Sequence, residues 1–245
     1  MIINLIGDYM SVYEIYPMQT ARTVRPMANL TYLRNFDNNV EMFYGAFLLR
    51  SADYNILVDT GCDARRYSAG HFPPVEDVAS LGRNLGRFSL AVKGIDAVII
   101  THLHFDHAAF LHMFPHCPVF VQLRELRSAF NPHPYFSSFY VPAFFKDVKF
   151  EMIDGDMELF PGIEVALVPG HSAGTQAVIV ETGRGRAAVS GFCCVAENFQ
   201  EGNLAIPGIH EDVRQAYDSI NKLVGLADII FPNHSFSPVK LKGTR

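Results

Sequence analysis

Three histidines and one aspartate fall within six positions of the chain: His102, His104, Asp106 and His107. They follow directly on an apolar run at residues 97–100, which is typical of a short buried strand. On an extended backbone the side chains of His102 and His104 point to the same face. A turn can then bring those of Asp106 and His107 back toward them. Imidazole and carboxylate groups are common ligands of divalent metal ions. We therefore predict a metal site in the loop after this strand, rather than a surface loop that happens to be rich in histidine.

Hydrolysis is the chemistry that such a cluster favours. A divalent ion held by three neutral imidazoles keeps an open position for water, and it lowers the pKa of that water toward about 7. A hydroxide nucleophile then exists at neutral pH. The cluster by itself does not identify the bond that is cleaved.

The motif His102-x-His104-x-Asp106-His107 resembles the signature of the metallo-β-lactamase superfamily. Three further landmarks of that family follow the family's order in the chain: Asp-Thr-Gly at residues 59–61, Pro-Gly-His at residues 169–171 and a strand end at residues 231–234 that carries a last histidine. The layout is most similar to the branch that contains the N-acyl homoserine lactonases. This resemblance implies an α/β fold, the αββα sandwich in which two mixed β-sheets are flanked by helices.

The resemblance also implies a role for each matching residue. Six side chains would ligate metal, the first site being His102, His104 and His171 and the second Asp106, His107 and His234. Asp59 would orient ligands by hydrogen bonding, because a ligating imidazole usually needs a partner on its other nitrogen. The alternative for Asp59 is structural, since Asp-Thr-Gly serves equally well as a turn at a strand end.

One landmark of the lactonase branch is missing. An aspartate that bridges two metals there aligns with Gly191 here. We weigh three accounts: the second ion is absent and Asp106 acts as a base on the bound water; the ion is held without the bridge; or Cys193 or Cys194 supplies a thiolate, a soft ligand suited to zinc. We favour the first account, with one ion and with both cysteines as small buried hydrophobes. Zinc is the expected metal, and iron and manganese stay open.

A lactone, or a related cyclic or acyl ester or amide of a small molecule, is the substrate class that the resemblance implies. A tyrosine that assists the substrate carbonyl in the lactonase branch aligns with Cys194, so the lactonase substrate does not transfer directly. The alternatives are a thioesterase or phosphodiesterase of the same superfamily, or a degenerate member that binds metal without turnover.

Residues 130–145 combine seven aromatic side chains with three prolines. The segment is too aromatic for a solvated linker and too broken by proline for one helix. Either it packs into the core, or it lines a substrate pocket beside the metal through Phe136, Tyr140 and Phe144. If it lines the pocket, the substrate has an apolar part.

Length, composition and charge limit the expected number of domains, the partners and the compartment. The chain has 245 residues, of which 49% are hydrophobic and 18% charged, and we expect a single domain over residues 1–245. A net charge of −5 and scattered lysine and arginine argue against nucleic-acid and anionic membrane partners. Four cysteines do not make a disulfide framework, so we expect a reducing, cytoplasmic compartment. The sequence leaves open whether the protein is a homo-oligomer.

A mixed α/β scaffold must position the ligand-bearing loops. We predict strands at residues 12–16, 42–49, 55–58, 95–100, 118–122, 149–153, 163–168, 177–181, 187–190 and 229–231, and helices at residues 75–88, 108–113, 123–129 and 211–223. Residues 20–34 are expected to be irregular. The ligands then lie at strand ends along one edge of the fold. His112, His116 and His133 fall outside this pattern, and we expect no ligand among them.

Overall fold

Two β-sheets account for most of the regular structure in the computed structural model, which describes residues 11–66, 74–200, 202–235 and 237–241. The strands of the first sheet are β1 (Glu14–Pro26), β2 (Asn39–Arg50), β3 (Asn55–Val58), β4 (Glu76–Asp77), β5 (Ala97–Ile99), β6 (Val119–Gln122) and β7 (Phe150–Ile153). Those of the second are β8 (Met157–Phe160), β9 (Ile163–Leu167), β10 (Gln176–Thr182), β11 (Gly185–Val189), β12 (Ile229–Phe231) and β13 (Val239–Lys240). The α-helices in the described residues are α1 (Leu81–Gly86), α2 (Phe105–Ala108), α3 (Leu123–Phe130), α4 (Pro142–Phe145) and α5 (Val213–Leu226).

Both sheets are mixed. The first has the strand order β4-β1-β2-β3-β5-β6-β7, antiparallel up to β3 and parallel from there to β7. The second has the order β13-β12-β11-β10-β9-β8, in which only β11 and β12 run parallel. Parallel neighbours end at the same edge of a sheet, so the loops that follow them start side by side.

Side chains alternate between two buried faces on the central strands. Phe47 and Leu49 of β2 pack between the sheets, while Leu48 packs toward helices α1 to α4. On β10, Val178 packs between the sheets and Ile179 packs toward α5. Burial on both faces explains why these strands read as nearly continuous apolar runs. The expected sandwich of two mixed sheets flanked by helices is confirmed.

The first strand corrects the sequence-based prediction. β1 continues through a stretch that we expected to be irregular, with a register shift between Gln19 and Ala21 that marks a β-bulge. Beyond this bulge Thr23 and Arg25 are buried, whereas Val24 is 56% exposed. Polar side chains therefore point inward and an apolar one outward, which is the reverse of the usual alternation. The polar and apolar alternation therefore did not indicate a half-buried strand here.

Two helices begin elsewhere than predicted. In place of a helix at residues 75–88, β4 pairs with β1 and α1 begins only after Ser80, whose hydroxyl accepts a hydrogen bond from the amide of Arg83. The helix predicted at residues 108–113 is divided in two: α2 begins earlier, at Phe105, and ends at Ala108, and a short 3-10 helix follows at Leu111–Met113. Two of the residues predicted to bind metal, Asp106 and His107, therefore lie on a helical turn rather than in a loop.

Helix α5 lies within two to three residues of its predicted bounds. The carboxylate of Asp212 accepts hydrogen bonds from the amides of Arg214 and Gln215, which fixes the start of the helix. Its buried face is narrower than the apolar spacing predicted, because Val213 and Tyr217 are exposed. The buried residues are Ala216, Ser219, Ile220 and Leu223. Among the described helices, none is long and apolar enough to cross a bilayer.

Candidate metal centre

Two groups of three buried side chains lie where loops from both sheets meet. The first group is His102, His104 and His171, and the second is Asp106, His107 and His234. Within each group the candidate ligand atoms all lie within 4.8 Å of one another. The members numbered 102 to 107 follow β5 of the first sheet, whereas His171 and His234 follow β9 and β12 of the second. Each group therefore takes ligands from both sheets.

Backbone carbonyls fix the orientation of the two ligand rings from the second sheet. The Nδ1 atom of His171 lies 2.7 Å from the carbonyl oxygen of Ile209, and that of His234 lies 2.8 Å from the carbonyl oxygen of Phe43. A carbonyl can only accept, so Nδ1 carries the proton in both rings. The lone pair then resides on Nε2, which is the arrangement of a metal-ligating histidine.

The Nε2 atoms of the groups fit a bound cation. That of His104 is buried and has no hydrogen-bond partner among the described residues, whereas those of His107 and His234 are buried and face the Asp106 carboxylate at 3.4 and 3.7 Å. A buried polar atom without a partner costs about 1–3 kcal/mol, so such atoms are rare unless a ligand uses them. The Nε2 atoms of His102 and His171 lie 3.1 Å apart, close to the separation of about 3.3 Å between two nitrogens on one tetrahedral zinc ion.

Burial keeps the imidazoles of the first group neutral. It lowers the pKa of His102 and of His104 well below the usual range, and it lowers the pKa of His171 to about 4. The pKa of His234 in the second group falls to about 3 for the same reason. Neutral imidazole is the form that binds metal, so these four rings need lose no proton at neutral pH.

Asp106 and His107 hold opposite charges next to each other. Asp106 Oδ2 lies 3.4 Å from His107 Nε2 and 3.7 Å from His234 Nε2. Burial acts against the charge on each, yet the pKa of Asp106 lies below its usual value because of His107, and the pKa of His107 is raised to about 10 by Asp106 and Asp59. The second group must therefore release a proton from His107 when it takes up an ion.

Asp59 connects the two groups through hydrogen bonds. Its Oδ2 lies 2.7 Å from His107 Nδ1 and accepts from the hydroxyl of Thr101 at 2.8 Å, while its Oδ1 accepts from the Thr101 amide at 2.7 Å. Thr101 Oγ1 lies 3.1 Å from His102 Nδ1, so one carboxylate orients a ligand ring in each group. Asn233 donates to the same carboxylate at 3.1 Å. The sequence showed Asn233 beside the last ligand, but the motif assigned it no role.

Gly191 does not face the metal centre, which corrects the expectation that it stands at a bridging position. Its φ is +72°, and a Cβ atom built there would lie 2.1 Å from the carbonyl oxygen of Gln176. Its amide donates to Asn233 Oδ1 at 2.9 Å. A side chain at this position would point into the backbone of β10, so no carboxylate from residue 191 can reach an ion.

Substitution of Gly191 by alanine is expected to destabilise the fold by about 2–4 kcal/mol, because a positive φ and a backbone overlap act together. In a chain of this size the melting temperature should fall by about 5 °C or more. Gly86→Ala is the matched control, since a Cβ at Gly86 meets nothing within 4 Å. We expect Gly191→Asp to lose stability in the same way and to gain no metal. A Gly191→Asp protein as stable as the Gly86→Ala control, with an additional ion, would contradict this placement.

Cys193 and Cys194 have different surroundings. Cys193 lines a small cavity together with His104 and Asp106, and burial followed by the charge of Asp106 raises the pKa of its thiol. Cys194 packs in the core beside α5, with its sulfur 3.0 Å from the hydroxyl of Ser190. Neither thiol belongs to the two ligand groups found in the described residues.

We therefore expect Cys193→Ser to keep the metal content of the unsubstituted protein. Cobalt-loaded protein should correspondingly lack the near-ultraviolet absorption of a cobalt–thiolate bond. Cys194→Ser is the neighbouring control, in which any change reflects core packing alone. A thiolate band in the cobalt form that Cys193→Ser removes and Cys194→Ser retains would establish Cys193 as a ligand instead.

The aromatic segment reaches the metal centre through Phe139 rather than through all three expected residues. Phe139 lines the cavity, with its ring centroid 5.0 Å from that of His104. Tyr140 also contacts His104, at 4.8 Å, but is buried in the core. Phe136 packs behind Phe139 at 6.3 Å, and Phe144 lies in the core toward the helices. The segment thus fills the core and contributes one side of the cavity, so both alternatives hold in part.

Glu125 of α3 is a buried carboxylate that the sequence analysis missed. Its Oε1 accepts from the amide of Leu103 at 2.9 Å, between two ligand histidines. Its Oε2 accepts from the hydroxyl of Ser172 at 2.6 Å and from the amide of Gly174 at 3.1 Å, in the loop that carries His171. A single side chain therefore holds the two loops that form the first group.

The cavity between the groups is small, at about 20 Å³, which is room for about one water molecule. A substrate needs more space than this conformation offers. The lining residues are Arg25, Met42, Tyr44, His104, Phe105, Asp106, Phe139, His171, Cys193 and Ile209. Arg25 and Tyr44 were not predicted, because they lie on strands whose pattern gave no functional signal. His112, His116 and His133 are exposed and lie outside both groups.

A match to a known protein family covers all six candidate ligands of this centre. A family model described as the metallo-beta-lactamase superfamily matches residues 45–234, which include all six candidate ligands and Asp59. The chain belongs to the metallo-beta-lactamase superfamily. The family predicted from the sequence motif is thereby confirmed.

Curated relatives of this superfamily member include lactonases. The chain is 27% identical to an N-acyl homoserine lactonase of Bacillus thuringiensis over 211 residues, which cover 79% of this chain and 82% of the relative. It is also 27% identical to a probable metallo-hydrolase of Methanocaldococcus jannaschii over 192 residues, or 74% and 82% of the two chains. These relatives agree with the expected metal-dependent hydrolase.

Solved structures of the superfamily share the fold. An AiiA variant of B. thuringiensis with N-decanoyl-L-homoserine bound at its active site has a TM-score of 0.76 at 23% identity, over 92% of this chain and 94% of that one. The dizinc quorum-quenching lactonase AidC has a TM-score of 0.67 at 16% identity, over 96% of each chain. The two-sheet architecture therefore persists where most of the sequence has changed.

Proposed function

We propose that the protein is a metal-dependent hydrolase that opens a lactone, or a related cyclic or acyl ester or amide, of a small molecule. The observation that carries this proposal is the pair of buried candidate ligand groups, in each of which the candidate ligand atoms lie within 4.8 Å of one another, beside a cavity that His104, Asp106 and His171 line. Similarity to N-acyl homoserine lactonases supports a lactone as the substrate class. Phe139 and Ile209 give the cavity an apolar side, which suits a substrate with an apolar part.

We propose zinc as the metal, with one tightly held ion in the first group. Three neutral imidazoles are a common zinc-binding set that leaves one position open. The second group binds more weakly for two reasons: His107 must release a proton, and residue 191 offers no carboxylate. Elemental analysis after dialysis against a mild chelator tests this proposal, and two surviving equivalents per chain would contradict it.

Residues around the cavity have distinct parts in the proposed reaction. When bound, the metal ion supplies an ionised water at neutral pH and polarises the carbonyl that it contacts. Asp106 is ionised and lines the cavity, so one of its carboxylate oxygens can accept the proton of the attacking water. Asp59 holds His107 directly and His102 through Thr101, which keeps their Nε2 atoms aimed at the centre.

A hydrolysis panel tests the proposed activity. It contains N-acyl homoserine lactones of several chain lengths, simple γ-lactones, an acyl thioester and a phosphodiester, each assayed with zinc-loaded and chelator-treated protein. We expect zinc-dependent opening of at least one lactone. Preference for the thioester or the phosphodiester would move the protein to another activity of the superfamily. Full metal content without turnover on any member would indicate a binding protein instead.

A further inference from the structure

A second pocket, of about 390 Å³, lies between residues 27–40 and two short stretches, residues 197–200 and 202–205. Five of the side chains that line it are primary amides, and among the described lining residues one arginine and one glutamate carry charge. We call it the amide pocket. Its polar walls are Asn35, Asn38 and Asn39 from the first segment and Glu197, Gln200 and Asn203 from the second.

The amide pocket and the small cavity of the metal centre are lined by the same parts of the chain. Val40 of the pocket pairs with Arg25 of the cavity, and residues directly opposite on antiparallel strands lie about 4.5–5.5 Å apart. Ala205 of the pocket precedes Ile209 of the cavity by four positions, and residues 193–197 begin at the cavity and end at the pocket. The pocket is therefore a neighbouring space for the part of a substrate that the cavity is too small to hold.

Hydrogen bonds fix the two walls of the amide pocket against each other. The side-chain amide of Asn198 is buried, and it donates to the carbonyl oxygen of Leu30 at 2.6 Å and to that of Ala205 at 2.8 Å. The guanidinium of Arg34 in the first wall donates to two carbonyl oxygens of the second wall, at 3.0 and 3.1 Å. The pocket is thus held in shape by the fold itself, which lowers the entropy cost of binding a ligand there.

The amide groups in the walls are available to a ligand. The side chains of Asn38, Asn39, Gln200 and Asn203 make no hydrogen bond with another described residue. Each carries two N–H donors and one acceptor oxygen and has no net charge. A peptide amide offers both a donor and an acceptor in return, whereas an alkyl chain offers neither. These walls therefore favour a ligand that carries amide groups.

We propose that the amide pocket binds an uncharged, amide-bearing tail of the substrate, so that the preferred substrates are lactones or esters with a peptide-like acyl part. This inference rests on the proposed hydrolase function and names its substrate class. The charges of Arg34 and Glu197 cancel in the pocket as a whole, which favours an uncharged tail. The apolar side of the metal cavity then contacts only the atoms next to the bond that is cleaved.

Two homoserine lactones with tails of equal length test the substrate class. One carries an N-acetylglycylglycyl tail and the other an N-octanoyl tail, and kcat/KM is compared with zinc-loaded protein. The extended glycyl tail spans about 7–10 Å, enough to pass from the cavity into the pocket. We expect it to be preferred by at least about tenfold, since two additional neutral hydrogen bonds are worth about that much. Equal kcat/KM values, or preference for the octanoyl tail, would overturn the proposal.

Asn39→Leu and Asn203→Leu each remove one amide from the pocket with little change in side-chain size. Each should lower the ratio of the two kcat/KM values by about threefold or more, the effect of one lost hydrogen bond. Asn221→Leu is the matched control, because it makes the same change on the exposed face of α5, outside the pocket. It should leave the ratio as it is. Melting temperatures are measured on every variant, and if either pocket variant does not fold, the unsubstituted protein decides the question.

A binding measurement on the unsubstituted protein separates this inference from the proposed activity. Isotope-labelled, zinc-loaded protein is titrated with N-acetylglycylglycinamide, which has no ester bond, and the side-chain NH2 signals are followed by NMR. We expect the signals of Asn38, Asn39, Gln200 and Asn203 to shift and that of Asn221 to stay in place. Shifts with methyl glucoside but not with the amide would overturn the proposed ligand class.

The two measurements together distinguish the possible failures. Amide-dependent shifts in a protein that opens neither lactone would support the pocket and overturn the lactonase activity. Turnover of both lactones without preference for the glycyl tail, and without shifts of the pocket signals, would support the activity and overturn the role of the pocket.

Discussion

Replacing His104 by alanine is expected to remove the tightly held metal ion and to lower hydrolysis by well over a hundredfold. Losing an outer partner of a ligand already costs about 10–100-fold, and His104 is proposed as a ligand itself. Its Nε2 atom is buried and has no hydrogen-bond partner among the residues that the structure describes, so none of them depends on that nitrogen. Two imidazoles alone bind zinc too weakly to keep it through dialysis. Metal per chain and kcat/KM on a lactone substrate are the measurements.

Two further variants complete that experiment. His104→Gln fills more of the space beside Phe139 and Tyr140 than alanine does, which separates loss of a ligand from loss of packing. His112→Ala removes an exposed histidine outside both groups and should change neither metal content nor activity. A His104→Ala protein that still retains one ion after dialysis would show that the first group is not the primary metal site.

Glu125→Gln is expected to weaken metal binding by the first group at least about tenfold while leaving the second group's ligands intact. Both carboxylate oxygens face backbone amides that cannot rotate away, Leu103 on one side and Gly174 on the other. Whichever way the glutamine amide turns, its NH2 group meets one of these donors. An unsatisfied buried donor costs about 1–3 kcal/mol, enough to let the two ligand loops separate.

Competition for zinc with a chromophoric chelator measures the effect of Glu125→Gln directly. Glu158→Gln is the matched control, because it makes the same chemical change at an exposed position on β8. A role in general stability alone would lower the melting temperature without changing zinc affinity in the folded protein. Equal zinc affinity in the two variants would therefore contradict the role of Glu125 in positioning the ligands.

The clustering of the six candidate ligands could be predicted because its signal is local. Four of the six occur within six positions, and the spacing of His102 and His104 places both on one face whatever the rest of the fold does. The remaining two follow Pro-Gly and Pro-Asn at strand ends that resemble a known family. Sequence order alone could not show which groups hydrogen-bond to Asp59 and to the histidine rings. No role was therefore predicted for Thr101 and Asn233.

The residues that were missed or misread depend on contacts between distant parts of the chain. Arg25 lies beyond a β-bulge that reverses the alternation of its strand, so a periodic pattern predicts the wrong face. Glu125 occurs in a polar helical stretch that is typical of a surface, yet it is buried in the structure, where Gly174 packs closely against it. Gly191 aligns with a functional position, but its positive φ and the carbonyl of Gln176 decide what fits there.

Because each ligand group draws on both sheets, a bound ion acts as a cross-link between parts of the chain that are far apart in sequence. His102 and His171 are separated by 69 positions, and their nitrogens meet only after the sheets have packed. An ion present at about 100 times its dissociation constant adds about 2.7 kcal/mol to the stability of the packed state. Chelation should therefore loosen this edge of the sandwich first. Backbone amides of residues 101–104 and 171–175 should then exchange with deuterated solvent far faster than those in the centre of β10.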